Sequence, residues 1–571
     1  MHPAAFLLTC LLLPLAQAGA VAIRASIDPV KDERPVNEKD REHWAFRPMA
    51  TTAPGTTLDD LAKPLGKEAD PDTLLRRLCF DLTGLPPRPE MRLEAGEKAY
   101  EKLVDELLAS KEHGEHWAQW WLDLARFAET DGFEYDAERS RAWQYRDWVI
   151  EALNRDLPFD QFVQQQIAGD LLPGGNPTAT GFLMAAPDMP DLNNQAERRH
   201  VLLNDITSTV GAVGLGLTVG CAQCHDHPYD PLSQADFYRL RAFFDPTILP
   251  LERKQIGPSV RVFTQGVPAS TVFIRGDFRR PGPTVQPAIP RLFGTLPGSP
   301  DRAELARWLT RRDNALFLRA TANRLWQQHF GEPLAAVPGD LGHQGQPPTQ
   351  PALLDWLAAE LPRQGWSLKR LHKVIVMSKT YRQAGLPPRR LTGEMLRDAL
   401  LAASGQLNPK SGGPGVRLPL PREVSETLLK KQHEVTPDLT EHRRRSIYVF
   451  ARRNLRHPLF DLFDRPDAQT SCARRNESTT APQALMLFNS EFAHECAATL
   501  AARLAAEHGS DAKALATAAQ RACLSRQPSA EELQLAGDFL ESQTARAGSF
   551  QHALADYCLA LLNSNEFLFV D

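Results

Sequence analysis

Long apolar runs are nearly absent from this sequence. Beyond the first twenty residues no stretch is long and apolar enough to span a bilayer as a helix. Cysteine is scarce as well: eight in 571 residues, scattered along the chain, too few for a disulfide framework. No excess of positive charge is present either. The 65 Lys and Arg against 70 Asp and Glu leave a net charge of -5, which gives a nucleic-acid partner no electrostatic footing. No internal repeat is visible. What remains, 42% apolar and 24% charged residues, is the composition of an ordinary globular protein. The length exceeds what one hydrophobic core supports, so two or more domains are expected. The 45 prolines point to long irregular connections.

The one apolar run, Ala4 to Ala16, is followed by Ala16-Gln-Ala18-Gly-Ala20, the pattern of a cleaved secretory signal over residues 1–20. Only His2 stands where Lys or Arg is usual. The expectation is a periplasmic or secreted protein with no transmembrane segment after cleavage. Residues 21–57, around His43-Trp-Ala-Phe46, read as an extended arm packed on the first domain. From 58 to 245 the pattern is helical. Trp117, Trp120, Trp121, Leu124 and Phe127 fall on one helical stripe, and Phe159, Phe162, Val163 and Ile167 on another behind Pro158. Residues 246–300 hold two short strand candidates, Val260–Phe263 and Thr271–Ile274, in proline-rich surroundings. Helical periodicity returns over 301–571, with Ser446–Phe450 a further strand candidate and Thr480 opening a helix with a capping box. The fold class predicted is mainly α, two helical domains joined by a small β-containing connector.

The chemistry concentrates in Cys221-Ala-Gln-Cys224-His225. Two thiols three positions apart and an adjacent imidazole are what covalent haem attachment needs: the thiols bond the vinyl groups and His225 reaches the iron. The preceding glycine-spaced stretch, Gly211 to Gly220, allows backbone to approach a flat ligand, or marks tight helix contacts. Met184, Met189 and His200 are distal-ligand candidates. His227 is too close in sequence to swing to the opposite face. Two alternatives stay open: a metal or acid-base site at His225 and His227, with Cys221 and Cys224 as further zinc ligands, or a disulfide within the C-x-x-C. Of the other cysteines, Cys79, Cys472, Cys496, Cys523 and Cys558, the last three sit in helical patterns that suit small buried side chains. Asp123, Arg126, Glu129 and Asp131 read as an ion-paired or solvated face, and the arginines from Arg443 to Arg456 as a solvated strand face or the partner of an acidic group.

Taken together the motifs resemble the planctomycete-type cytochrome c-like proteins that pair domains of unknown function 1549 and 1553. The resemblance to the first rests on Leu75–Pro87, His116–Arg126, Ile167–Pro173 and Gly216–Pro231. For the second it rests on Asn323–Gly331, Leu354–Glu360, Gly365–Lys369 and Arg474–Leu485. It implies an exported c-type-haem protein with Cys221, Cys224 and His225 at the haem and Asp226, His227 and Asp230 in the same signature. It also implies electron transfer or a haem redox step within polysaccharide catabolism, with a redox protein or a carbohydrate as partner. Its alternative is a haem-free enzyme or binding protein acting on carbohydrate. Two departures from the family pattern, a short opening after Thr57 and the lack of a separate cytochrome domain or carbohydrate-binding insert, read as a minimal version.

Overall fold

The tryptophan stripe forms helix Lys111–Leu124, which buries Trp117, Trp120, Trp121 and Leu124. The periodicity continues to Phe127 but the helix does not, because Arg126 takes a left-handed conformation (φ 50°) and turns the chain. A computed structural model describes residues 28–64, 66–189, 192–248, 261–262, 269–428 and 433–571. The expected signal segment, 1–20, lies outside the described residues. The mainly α class is borne out: helices dominate, and the sheets among the described residues are three two-stranded pairings. No helix among the described residues is long and apolar enough to cross a membrane.

The main core gathers Trp117–Phe127, Tyr145–Ala168 and Phe182–Phe244 with Ala303–Ile375, so helices of both halves bury their apolar faces against one another. A second cluster collects residues from Leu391 to Val570 together with Phe80. Strand Thr247–Ile248 pairs with Arg261–Val262, and Thr271–Phe273 with Pro281–Thr284, as the connector reading expects. Ser446–Phe450 differs. It forms a 3-10 turn over Ser446–Tyr448 and a single bridge to Val416, since Tyr448 and Val449 close onto carbonyls three residues back.

The arm touches the first domain, where Glu33 pairs with Arg239 (2.6 Å), and is anchored beyond it as well. Arg319, from helix Ala315–Phe330, pairs with Asp355 and donates to the carbonyls of Trp44, Ala45 and Arg47. Ala45 is fully buried there. Of the arginines read as a solvated strand face or as partners of acidic groups, Arg443 and Arg456 pair with the exposed Glu495 and Asp461, and three others are partnered inward. Arg445 meets Asp398 and Glu115, Arg452 meets Asp136, and buried Arg444 meets Glu441. Arg126 turns to Asp205 and Asp131 to Arg139.

Candidate functional site

Helix Gln195–Leu215 ends at Gly216, whose φ of 59° lets the chain reverse and lay the next segment back along the helix. The glycines here serve tight packing. A Cβ on Gly211 would fall 2.2 Å from the Val219 side chain, and one on Gly220 2.6 Å from Ser208 Oγ. The returning segment forms the 3-10 turn Val219–Gln223. Ala222 is buried beneath it, at 1% exposure, against Ala235, Phe237 and Tyr238. Ala222 points in, whereas Cys221 and Cys224 are exposed residues with free thiols, the Cys224 sulfur lying against Gly276.

The turn is pinned from below. The Gln223 carbonyl accepts from Tyr238 Oη (3.1 Å) and Gln234 Nε2 (3.0 Å), and its side chain accepts from Asn204. His225 Nδ1 lies 2.6 Å from the Asp226 carbonyl. Since a carbonyl only accepts, Nδ1 carries the proton and Nε2 keeps its lone pair, the tautomer an iron-ligating imidazole needs. Two free exposed thiols and an imidazole poised in this way form a donor set that fits a covalently held haem.

The neighbouring signature residues are scaffold. Asp226 accepts from the Gln234 N–H at the start of helix Gln234–Arg241 (2.9 Å). Asp230 Oδ1 accepts from both the backbone N–H (2.8 Å) and ring Nδ1 (2.9 Å) of His343. His227 has both ring nitrogens engaged. Nδ1 accepts from the Asp230 N–H (2.8 Å), which makes Nε2 the protonated nitrogen, donating to Thr218 Oγ1 (3.3 Å). Burial pushes its pKa down, so the ring is neutral and its contact with the Asp230 carboxylate is no ion pair. With both ring nitrogens engaged, His227 offers no free lone pair to a metal shared with His225. Among the described residues no group of three or more His, Cys, Asp or Glu side chains is placed to hold a metal ion.

The distal candidates fare differently. Met184 is buried in the main core, and Met189 is half-buried on the loop before Gln195. His200 is wedged against Arg241 Nη1 (3.0 Å) and Asn204 Nδ2 (2.9 Å), and burial, then the Arg241 charge, lowers its pKa to about 4. Its ring supports the turn through Asn204 and Gln223.

Away from this turn lies a cavity of about 150 Å³ that none of Cys221, Cys224 and His225 lines. It sits where helix Lys111–Leu124 faces helix Ala315–Phe330, helix Gly393–Ser404 and residues 472–477. Sequence reasoning missed it. The available signal was His116, which shares the tryptophan helix and opens one of the motifs.

A family model described as PSCyt2, protein of unknown function (DUF1549), matches residues 57–248. One described as PSD1, protein of unknown function (DUF1553), matches residues 301–540. No curated protein and no solved structure matches the chain.

Proposed function

This chain belongs to the family that pairs PSCyt2 with PSD1, and from that membership we propose that it holds one covalent haem for electron transfer or a haem redox step. Cys221 and Cys224 would anchor the group and His225 Nε2 would face its iron. The observation that carries the reading is a pair of exposed cysteines with free thiols beside an imidazole whose Nδ1 proton is taken by the Asp226 carbonyl. When bound, the haem supplies a one-electron iron couple. The chain's own part is to hold the turn rigid through Gln223, Tyr238 and Gln234, and to fix the His225 tautomer. The haem-free alternative is the less supported reading, because both nitrogens of His227 already hold hydrogen bonds. On this reading the protein would act in the periplasm or outside the cell, in a step of polysaccharide breakdown with a redox protein as partner; the family resemblance supports that reading.

Co-expression with a cytochrome maturation system, followed by a pyridine haemochrome spectrum of the denatured protein, tests this. The wild type is expected to carry one covalent haem per chain and Cys221→Ala/Cys224→Ala none. A colourless wild type sinks the reading.

A further inference from the structure

The turn that carries Cys221 and Cys224 is short and exposed, and a 3-10 turn holds itself weakly. Part of what fixes it comes from the other half of the chain. Residues 340–343 lie in the part that PSD1 matches, and they bond the segment Gly216–Asp230 in the part that PSCyt2 matches. Upstream of the cysteines, the Leu341 N–H donates to the Gly216 carbonyl (2.7 Å) and Asp340 Oδ2 accepts from Thr218 Oγ1 (3.0 Å). Downstream, His343 closes on Asp230 through its backbone N–H (2.8 Å) and ring Nδ1 (2.9 Å). The carboxylate it meets is 1% exposed.

Gly342 sits between these ties. Its φ is not positive, so space and not backbone calls for glycine: a Cβ there would fall 2.4 Å from Asp230 Oδ2 and 2.6 Å from Oδ1. Its own N–H donates to Asp340 Oδ1 (2.9 Å), which stiffens the segment. Two further contacts hold the segment in place. Buried Arg324 donates from Nε to the Pro338 carbonyl (3.2 Å), and from Nη1 and Nη2 to the carbonyls of Val213 (2.7 Å) and Ala212 (2.6 Å). One guanidinium thus joins residue 338 to the end of helix Gln195–Leu215, where the helix dipole favours a cation. From outside, His43 of the arm stacks on His343, with ring centres 4.3 Å apart and planes inclined at 24°. The ties fall on both flanks of the donor set, and tying a loop at both ends removes much of its freedom.

We propose that residues 340–343 are a positioning strap for the Cys221–His225 turn, with Gly342 and His343 as its positioning residues, so that both halves of the chain build the haem site. The effect on haem rests on the haem reading above; the hold on the turn does not.

Amide hydrogen exchange on the full chain without haem tests the hold. His343→Leu removes the ring donor to a buried carboxylate, so exchange across 217–231 is expected to quicken about tenfold while helix Lys111–Leu124 keeps its rate. His343→Asn, whose Nδ2 can reach Asp230 as Nδ1 does, should restore the slow exchange. Gly342→Ala should act like His343→Leu; if it fails to fold, the two His343 variants decide, since that residue is exposed. Redox titration of the matured protein tests the positioning. His343→Leu is expected to shift the midpoint potential and His343→Asn to bring it back, a recovery that packing alone would not give. Unchanged exchange across 217–231 in His343→Leu overturns the proposal, as does quickening spread evenly over the chain or an unmoved midpoint potential. A wild type that takes no haem sinks the haem reading alone, and the exchange result then decides the strap.

Discussion

Acidification from pH 7 to pH 4.5 is expected to remove at least about 3 kcal/mol of stability, through histidines held neutral in the interior, His113 and His372 foremost among them. His113 is 2% exposed and His372 fully buried. Burial, then the Lys369 charge, lowers His113 to about 3; burial, then His329, lowers His372 well below the usual imidazole value. His113 Nδ1 donates to the Leu82 carbonyl (2.9 Å), a contact that favours the proton but is outweighed by burial, and His372 Nδ1 meets His329 Nε2 at 2.9 Å. The sign is fixed by linkage. Above the unfolded value of about 6.5 both states are neutral and pH has no lever. Below it the unfolded chain takes protons that the folded one refuses, and stability falls by up to about 1.4 kcal/mol per pH unit for each group.

Two units below 6.5, a histidine kept neutral by the fold as His113 is has removed about 3 kcal/mol, against total stabilities of about 5–15 kcal/mol for a domain. Asp81 and Glu394, held at about 2 by nearby arginines against the pull of burial, add nothing until pH falls below their unfolded values near 4. The loss between 6.5 and 4.5 therefore belongs to histidine. Calorimetric melting across that range checks it. His113→Asn, whose Nδ2 can still reach the Leu82 carbonyl, should flatten the slope by about one proton. A melting temperature constant from pH 6.5 to 4.5 would defeat the argument.

Features within one helix or one turn were legible before the fold was known. The stripe of Trp117, Trp120 and Trp121 foretold a helix, and Thr480 foretold the cap of helix Ala481–Asn489, where its N–H donates to Gln483 Oε1. The Cys221–His225 motif was legible as chemistry because its donors are neighbours in sequence. The glycines from 211 to 220 were ambiguous, since the same lack of a side chain serves a ligand or a neighbouring helix, and only Val219 and Ser208 decide between them. Partners across the fold were not legible at all. Arg445 reads as part of a basic run until Glu115, 330 residues away, is seen beside it. The cavity was hidden for the same reason: His116, Gln327 and Arg390 converge only because the helices of both halves share one core.

Replacing Arg475 with Met is expected to cost about 3–5 kcal/mol, the usual penalty for stranding buried charge. Arg475 reaches Asp123 through Nε (2.6 Å) and Nη2 (3.0 Å), and Glu394 through Nη1 (2.8 Å) and Nη2 (3.1 Å). It thereby ties helix Lys111–Leu124 to helix Gly393–Ser404 along one wall of the cavity. Burial alone would raise Glu394, but Arg475 first and Arg465 second overcome it and bring its pKa to about 2. Without Arg475, Glu394 keeps only Arg465 at 3.5 Å, and Asp123 keeps the amide of Gln119. Glu394 should then titrate higher than in the wild type and take up a proton in the folded state at mildly acidic pH. The stability gap between wild type and Arg475→Met should accordingly narrow from pH 7 to pH 5, even as the histidines weaken both proteins alike. Arg475→Lys keeps the charge but loses the fork that serves two carboxylates at once, so it should recover only part of the loss. Paired melts at the two pH values check this. A gap of the same size at both would mean that the cost lies in lost packing and not in stranded carboxylates.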